Sequence, residues 1–204
     1  MAYPAEPWKL RGRMHVSVFV VPAAAVPALP PELAGAVRVV RLAGRAVIGA
    51  AWVDYRPGGD LSYRELLSAV LVRAGARPRV SITHIWVDSP ASRDGGRALW
   101  GIPKDLAEFD LTGERAAART AGGPIAEAAL RRPRFGLRLP IGFRVVQALS
   151  GAPKTSPVRA TARCALSRVA WRADPGGPLR FLAGRRPVLS LVADDFTMRF
   201  GGAA

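Results

Sequence analysis

Apolar and polar residues alternate along most of this chain, in short segments that end at glycine or proline. Alternation with a period of two is typical of β-strands that have one buried face. The pattern predicts strands over residues 14–21, 37–42, 45–55, 80–87, 108–111, 115–121, 125–130, 158–171, 188–192 and 196–200. Turn residues separate these segments, as in the run RPGGD at 56–60, and they indicate strands that follow one another directly.

Helical signals are few. Residues 61–73 fit either a helix or a strand, because their apolar residues suit both periods. Ser89 and Pro90 are a helix start signal, and they predict a short helix that opens there, continues through residues 93–99 and ends at Gly101. We therefore expect one or two short helices.

A long series of strands with so few helices predicts a mainly β (α+β) fold. An antiparallel sheet of this kind is expected to curl into a β-barrel, because closure leaves no unpaired edge. The 204 residues suffice for one sizeable core. Since no exact repeat or linker divides them, residues 1–204 are expected to form a single domain.

The formal net charge of +15 raises the question of a nucleic-acid partner, since phosphate binding needs clustered cations. The densest cationic runs are residues 131–134 (RRPR) with Arg138, and the pair Arg185-Arg186. Neither run is interleaved with aromatic residues that could stack on bases. We therefore expect no nucleic-acid partner. A basic nucleic-acid-binding protein stays an alternative, which salt-sensitive binding to DNA or RNA would support.

The chain offers few metal ligands and no membrane segment. Cys164 is its only cysteine, and His15 and His84 lie far apart in alternating segments that are typical of packed core histidines. The apolar run at 16–29 is shorter than a membrane span and holds two prolines. Since the N-terminus shows no signal-peptide pattern, we expect a cytoplasmic protein that does not bind a membrane.

Lys104 differs from the other cations of the chain. Only Lys9, Lys104 and Lys154 are lysines among the 30 Lys and Arg residues, and Lys104 lies in an apolar stretch. Arginine keeps its proton near neutral pH, whereas a lysine whose pKa is lowered by burial becomes an amine nucleophile that forms Schiff bases with ketones. The alternative is an ordinary surface lysine in a loop.

Residues 96–107 (GRALWGIPKDLA) resemble the signature of the acetoacetate decarboxylase family, in which a Gly-Arg-Glu helix leads into a Pro-Lys-Lys-Leu segment. The Schiff-base lysine of that family aligns with Lys104. The family's active-site arginine, at the start of its N-terminal strand, aligns with Arg13, and the glutamate of its Tyr-x-Glu segment aligns with Glu65. The likeness continues through the C-terminal strands and spans nearly the whole chain.

The resemblance implies an acetoacetate decarboxylase-like barrel and a lyase that acts on a small β-keto acid or ketone. Lys104 would form the Schiff base, Arg13 would hold a substrate carboxylate, and Glu65 would orient a group or carry a proton. Trp100 and Ile102 would line the pocket and contact the substrate. No metal or organic cofactor is implied, and assembly into a homo-oligomer is implied by analogy.

Two positions depart from the family pattern. Ala98 replaces the glutamate of the Gly-Arg-Glu helix, and Asp105 replaces the second lysine. A carboxylate beside Lys104 would favour its ammonium form. Because neighbouring side chains of an extended segment point to opposite faces, we expect Asp105 to lie outside the pocket. Burial beside Trp100 and Ile102 is then expected to lower the pKa of Lys104.

The reaction type stays open at this point. The same iminium intermediate supports decarboxylation, retro-aldol cleavage, or aldol condensation with dehydration. An alternative of a different class is a catalytically inactive small-molecule binding protein on the same fold, in which Lys104 only contacts a ligand. Trapping of an imine with borohydride distinguishes the two.

Overall fold

The computed structural model describes residues 3–131, 133 and 135–202. Within them the strands are β1 (Trp8–Pro22), β2 (Arg38–Val39), β3 (Arg41–Leu42), β4 (Arg45–Tyr55), β5 (Tyr63–Ala74), β6 (Arg77–Val87), β7 (Lys104–Leu106), β8 (Glu108–Thr112), β9 (Arg115–Thr120), β10 (Gly123–Leu130), β11 (Leu137–Leu149), β12 (Ala152–Leu166), β13 (Val169–Ala173) and β14 (Leu189–Phe200). The helices of the same part of the chain are α1 (Pro90–Trp100) and single 3-10 turns at Ala23–Ala25, Pro31–Leu33 and Arg180–Leu182.

Seven of these strands close into a barrel in the order β5, β4, β1, β14, β12, β11 and β6, with β6 pairing back to β5. Neighbouring barrel strands are antiparallel except β6 and β11, which run parallel and share one register pair, Val80 with Val145. Further along β6, the same edge pairs with β7, where Ile85 faces Lys104 in a second parallel contact. The predicted barrel is confirmed, and its mixed strand direction is a difference from the predicted antiparallel sheet.

A second sheet, in the order β13, β10, β9 and β8, packs on the outside of the barrel. Inward residues of β1 and β4, such as Val53, join the core inside the barrel. Outward residues of the same two strands, Phe19, Ile48 and Trp52, pack against the second sheet. Burial of both faces explains the near-continuous apolar sequence of these strands.

Two predicted strand boundaries are wrong. Residues 158–171 are divided between β12 and β13, which belong to different sheets, because the chain leaves the barrel after Leu166. Residues 188–192 and 196–200 form one strand, β14, which is irregular where Asp195 has a φ of 46°. The irregular backbone interrupts the alternation, and the sequence therefore reads as two segments.

In three other segments, pairing with neighbouring strands determines the secondary structure. The ambiguous residues 61–73 belong mainly to the strand β5, which is buried on both faces of the barrel wall. Residues 37–42 are divided into β2 and β3, which pair with β5 and β4 respectively. β11 was not predicted, although apolar residues occupy every second position from 137 to 143, because Pro140 and Gly142 are typical turn residues inside the segment.

The helix α1 links β6 to β7. The Ser89 hydroxyl oxygen caps its start by accepting a hydrogen bond from the Ser92 N–H at 3.2 Å, and Pro90 occupies the first turn. The helix ends at Gly101, whose φ is 65°, and a Cβ there would overlap the carbonyl oxygen of Ala148. The predicted helix is confirmed, and it spans Pro90–Trp100.

Among the described residues, no helix has the length and apolar character needed to cross a membrane. Within the same ranges, no group of three or more His, Cys, Asp and Glu side chains is arranged to hold a metal ion. His84 stacks on Trp86, and burial, followed by the charge of Arg180, lowers the pKa of His84. Arg132 and Arg134, which belong to the cationic run at 131–134, lie outside the described residues.

Candidate active site

Lys104 is the first residue of β7, and its side chain is buried beneath α1. The Nε of Arg97 donates a hydrogen bond to the backbone oxygen of Lys104 at 2.6 Å, which joins the helix to the strand. Only 4% of Lys104 is exposed. A Cβ at Gly96 would lie 2.7 Å from the Cδ of Lys104, so a glycine at this point of the helix leaves room for the lysine chain.

The amine of Lys104 donates hydrogen bonds to three buried oxygens. The Oε2 of Glu65 lies 2.9 Å from Nζ, the Oγ of Ser92 lies at 2.9 Å, and the hydroxyl oxygen of Tyr63 lies at 3.2 Å. Glu65 and Tyr63 belong to β5, and Ser92 belongs to α1. The three N–H bonds of an ammonium group are therefore all satisfied.

Glu65 is held from both sides. Its Oε2 accepts from Lys104, and its Oε1 accepts a hydrogen bond from the Tyr55 hydroxyl at 3.1 Å. Glu65 is 3% exposed. Its inward direction follows from the register, since it faces Val53 of β4, which belongs to the barrel core. The glutamate is thus a fixed, dry carboxylate beside the amine.

Aromatic rings surround the amine. Nζ lies 4.8 Å from the ring centroid of Tyr63 and 5.9 Å from that of Trp8. The rings of Tyr55 and Tyr63 lie 4.4 Å apart. These rings exclude water from the lysine–glutamate pair and leave the amine in contact with π faces, which favour a cation.

Two opposing effects act on the Lys104 amine. Burial lowers its pKa, but the charge of Glu65, followed by Tyr63 and the hydrogen bonds of both, outweighs burial and raises the pKa of Lys104 above its ordinary value. Burial raises the pKa of Tyr63 to about 12, although the charge of Lys104 opposes this rise. Burial also raises the pKa of Tyr55 well above its ordinary value. Both phenols are therefore protonated when the resting amine is an ammonium group.

The expectation for Asp105 is confirmed. Its side chain is 68% exposed, and its nearest cation is Arg97, whose guanidinium nitrogen lies 3.8 Å from Oδ1. The prediction of a lowered pKa for Lys104 is wrong for this arrangement. The reason is a carboxylate distant in sequence, Glu65, and not the neighbouring Asp105.

Trp100 and Ile102 are buried in the barrel core, as Lys104 is. Trp100 packs edge-on against Trp8, with ring centroids 4.8 Å apart, and its indole Nε1 donates to Glu6 at 2.7 Å. Neither residue hydrogen bonds the Lys104 amine among the described residues. Their predicted contact with a substrate stays a prediction.

The structure does not bring Arg13 to the amine. Arg13 faces Asp54 in the register of β1 with β4, whereas its neighbour Met14 faces the inward Val53, so Arg13 lies on the outer face of the barrel. There it forms a two-bond ion pair with Asp194, at 2.6 and 2.9 Å. The predicted role of Arg13 as a carboxylate holder stays a prediction.

Three site residues were not predicted as such from the sequence. Tyr55 and Ser92 contact the pair from β4 and α1, and no local pattern distinguishes them from other strand and helix residues. Gly96 carried a signal, because two consecutive glycines, Gly95 and Gly96, are unusual inside a helix and indicate a close approach of another group.

The fold and the site together define a β-barrel protein with one lysine–glutamate pair buried at the end of the barrel. A family model described as acetoacetate decarboxylase (ADC) matches residues 1–134. This match covers more than half of the chain, and the chain therefore belongs to the acetoacetate decarboxylase family. No curated protein matches it.

Solved structures share the fold. An acetoacetate decarboxylase from Legionella pneumophila subsp. pneumophila str. Philadelphia 1 superposes with a TM-score of 0.71 at 17% identity, over 100% of this chain and 89% of that one. The enduracididine biosynthesis enzyme MppR, complexed with pyruvate, superposes with a TM-score of 0.63 at 17% identity, over 99% and 90% of the two chains. An acetoacetate decarboxylase-like enzyme from Sphingomonas wittichii RW1 gives a TM-score of 0.60 at 15% identity, over 98% and 93%. At these identities the likeness shows the fold alone.

Proposed function

We propose that this chain is a Schiff-base lyase that breaks or forms a carbon–carbon bond in a small β-keto acid or ketone. The observation that carries the proposal is the buried contact of 2.9 Å between the amine of Lys104 and the carboxylate of Glu65. A nucleophile within hydrogen-bond reach of a base that is itself held by a third group, here Tyr55, is the arrangement that nucleophilic catalysis requires.

Glu65 accepts one proton from the amine and returns it later during imine formation. In the resting pair the proton is on Lys104, because the carboxylate raises the pKa of the amine. Transfer of one proton to Glu65 gives a neutral amine and a neutral acid in the same dry site. The amine then attacks the carbonyl, and a second amine proton moves to the oxygen to give a carbinolamine. Glu65 returns its proton to the departing hydroxyl, which leaves as water, so that iminium and carboxylate remain as a neutral pair.

The iminium nitrogen withdraws electrons from the neighbouring carbon–carbon bond. Loss of carbon dioxide from a β-keto acid leaves an enamine, which a proton from the site converts back to an iminium for hydrolysis. The same enamine attacks an aldehyde in an aldol condensation. The MppR structures, described as complexed with pyruvate and with the condensation product of pyruvate and imidazole 4-carboxaldehyde, support both keto-acid and aldol-type chemistry as options for this chain. No metal or organic cofactor takes part in this proposal.

A catalytically inactive binding protein on the same fold is the second candidate. The raised pKa of Lys104 favours it, because an amine that stays an ammonium group cannot attack a carbonyl. In that case the Lys104–Glu65 pair would only bind polar groups of a ligand.

Borohydride trapping tests the proposal. The protein is incubated with acetoacetate, pyruvate or acetaldehyde, reduced, and analysed by intact mass and peptide mapping. We expect a mass gain on Lys104 that Lys104→Ala abolishes. Lys154→Ala is the matched control, because Lys154 also pairs with a glutamate, Glu6, at 2.9 Å but is nearly one-third exposed. Absence of any adduct on Lys104 with all three carbonyls would support the binding protein instead.

The role of Arg13 is tested in the same assay. Arg13→Gln should slow trapping of pyruvate, but not of acetaldehyde, if Arg13 holds a carboxylate. If Arg13 only joins β1 to β14 through Asp194, the substitution lowers the urea midpoint and affects both carbonyls equally. Homo-oligomer assembly and a cytoplasmic location stay predictions from the family resemblance and the sequence.

A further inference from the structure

The barrel wall has few backbone pairs between β6 and β11. The two strands share the single register pair Val80 and Val145. Beyond it the side chain of Gln147 bridges them, since it accepts from the Ser81 hydroxyl and the Ile82 N–H and donates to the Ile82 oxygen. A groove of about 450 Å³ opens at this seam, and its lining includes neither Lys104 nor a residue that hydrogen bonds the Lys104 amine. The seam is therefore the junction of the barrel wall with the fewest backbone register pairs.

Residues from both faces of the wall line this groove. Val80 and Val158 point into the barrel and belong to, or pack against, its core. Arg79 and Arg144 lie on the opposite face, since each directly precedes an inward valine in an extended strand. The groove is therefore bounded by side chains from both faces of the wall.

The interior beyond the groove is accessible to solvent. Leu67, Ile141 and Ala160 pack against the barrel core, yet each is only partly buried. From Val80 to Ile85, the backbone partner of Lys104, β6 runs for five residues, or about 16 Å at ~3.3 Å per residue. The groove thus lies along the same strand that pairs with Lys104.

The groove is strongly basic. It is lined by four arginines, Arg77, Arg79, Arg144 and Arg159, and by no acidic residue. Among the described residues, none of the four forms an ion pair with a carboxylate. Guanidinium groups bind carboxylates through paired N–H bonds. A set of unneutralised arginines at a concave site also attracts anions from a distance.

The floor of the same groove is apolar. Leu71, Phe143 and Val158 line it, and Phe143 is 45% exposed. A ligand that suits both parts carries a carboxylate for the arginines and a hydrocarbon body for the floor. Inorganic anions would satisfy only the first part, and neutral ketones only the second.

We infer that the seam between β6 and β11 binds the carboxylate of small apolar acids and is the route by which keto acids enter the barrel. The entry route rests on the proposed function of Lys104, whereas carboxylate binding does not. In this inference the carboxylate is bound by four arginines, Arg77, Arg79, Arg144 and Arg159. The hydrocarbon part of the acid extends into the barrel. The enzyme would then prefer keto acids over neutral carbonyls before any chemistry begins.

Ligand-observed NMR with hexanoate, and with hexan-1-ol as its neutral analogue, tests carboxylate binding. We expect the Kd of hexanoate to rise by roughly tenfold in Arg144→Gln/Arg159→Gln, since two charge-assisted hydrogen bonds are lost. Arg168→Gln/Arg186→Gln removes the same charge from a different groove and should change the Kd less than about twofold. Equal hexanoate affinity in both double variants overturns the inference. If Arg144→Gln/Arg159→Gln does not fold, the Kd of hexanoate is measured instead in Arg77→Gln/Arg79→Gln and compared with that in Arg168→Gln/Arg186→Gln.

Borohydride trapping rates test the entry route. We expect pyruvate trapping to slow by roughly tenfold in Arg144→Gln/Arg159→Gln and to slow in added salt, while acetaldehyde trapping stays unchanged. Pyruvate trapping at the wild-type rate in that variant overturns the route. No trapping of either carbonyl by the wild type would refute the proposed function and the route together, and the hexanoate comparison would still decide whether the seam binds carboxylates.

Discussion

Glu65→Gln removes one charge from the buried pair and keeps nearly the same shape. The glutamine still reaches the Tyr55 hydroxyl and the Lys104 amine, which lie 3.1 and 2.9 Å from the two carboxylate oxygens. What is lost is the negative charge that offsets burial of the ammonium group. The substitution therefore isolates the electrostatic part of the interaction.

The expected cost in folding stability is about 3–5 kcal/mol at neutral pH, the range found when one partner of a buried ion pair is removed. The upper half of this range applies because the side chains of Lys104 and Glu65 are only 5% and 3% exposed, so solvent screens them little. Glu108→Gln breaks the pair with Arg119, whose side chains are 72% and 74% exposed, and should cost less than about 1 kcal/mol.

The cost should also depend on pH. In the wild type the pKa of Lys104 is raised, so the pair contributes its full stability below the ordinary lysine value of 10.5 and loses it as the pH rises through the folded value. In Glu65→Gln the charge of Glu65 no longer opposes burial, which is the largest single effect, and burial then lowers the pKa of Lys104. The variant is then penalised most at neutral pH, and the penalty shrinks as the pH approaches 10.5.

Urea unfolding of both proteins at pH 7 and pH 10 measures this difference. A destabilisation below about 1 kcal/mol at pH 7, or one that is equal at both pH values, would refute the reasoning. Borohydride trapping of the same variant should fall by about a hundredfold, although more of the amine is neutral, because the carbinolamine then lacks the acid that releases its hydroxyl as water.

Three further outcomes are expected. Gly96→Ala should lower trapping by about a hundredfold, because the new Cβ lies 2.7 Å from the Cδ of Lys104 and must displace the lysine chain. Trapping at the wild-type rate would contradict this close packing. Asp105→Asn should change the trapping rate less than about twofold, since that side chain is largely exposed; a larger change would show that Asp105 acts on the amine. The wild type should lose about 3 kcal/mol of folding stability between pH 10 and 12, because the pKa of Tyr63 is raised to about 12 in the folded protein. Tyr63→Phe should remove this loss from the urea unfolding curve. An unchanged alkaline curve would show that another group controls it.

Much of the barrel could be predicted from the sequence. Strands such as β4 and β6 bury an inward face, and their alternation marks them without any knowledge of their partners. The helix α1 carried its own start and stop residues, Ser89 and Gly101. β11 was missed although its apolar residues alternate from 137 to 143, because Pro140 and Gly142 are typical of turns. Its pairing with β12 shows that the segment is a strand.

The sequence also singled out Lys104 and, through the family resemblance, Glu65. It did not determine the protonation of the amine, because the pKa of Lys104 depends on a carboxylate from another strand and on the distance between them. Nor did it show that Arg13 lies on the outer face, paired with Asp194.

By itself, then, the sequence determined which segments extend and which residues carry chemistry, because periodicity and side-chain type are local properties. Only the tertiary structure decided which charges meet. Electrostatic interactions act through space. The Lys104 amine donates hydrogen bonds to Glu65 and Ser92, which are distant in sequence, while its neighbour Asp105 is exposed to solvent.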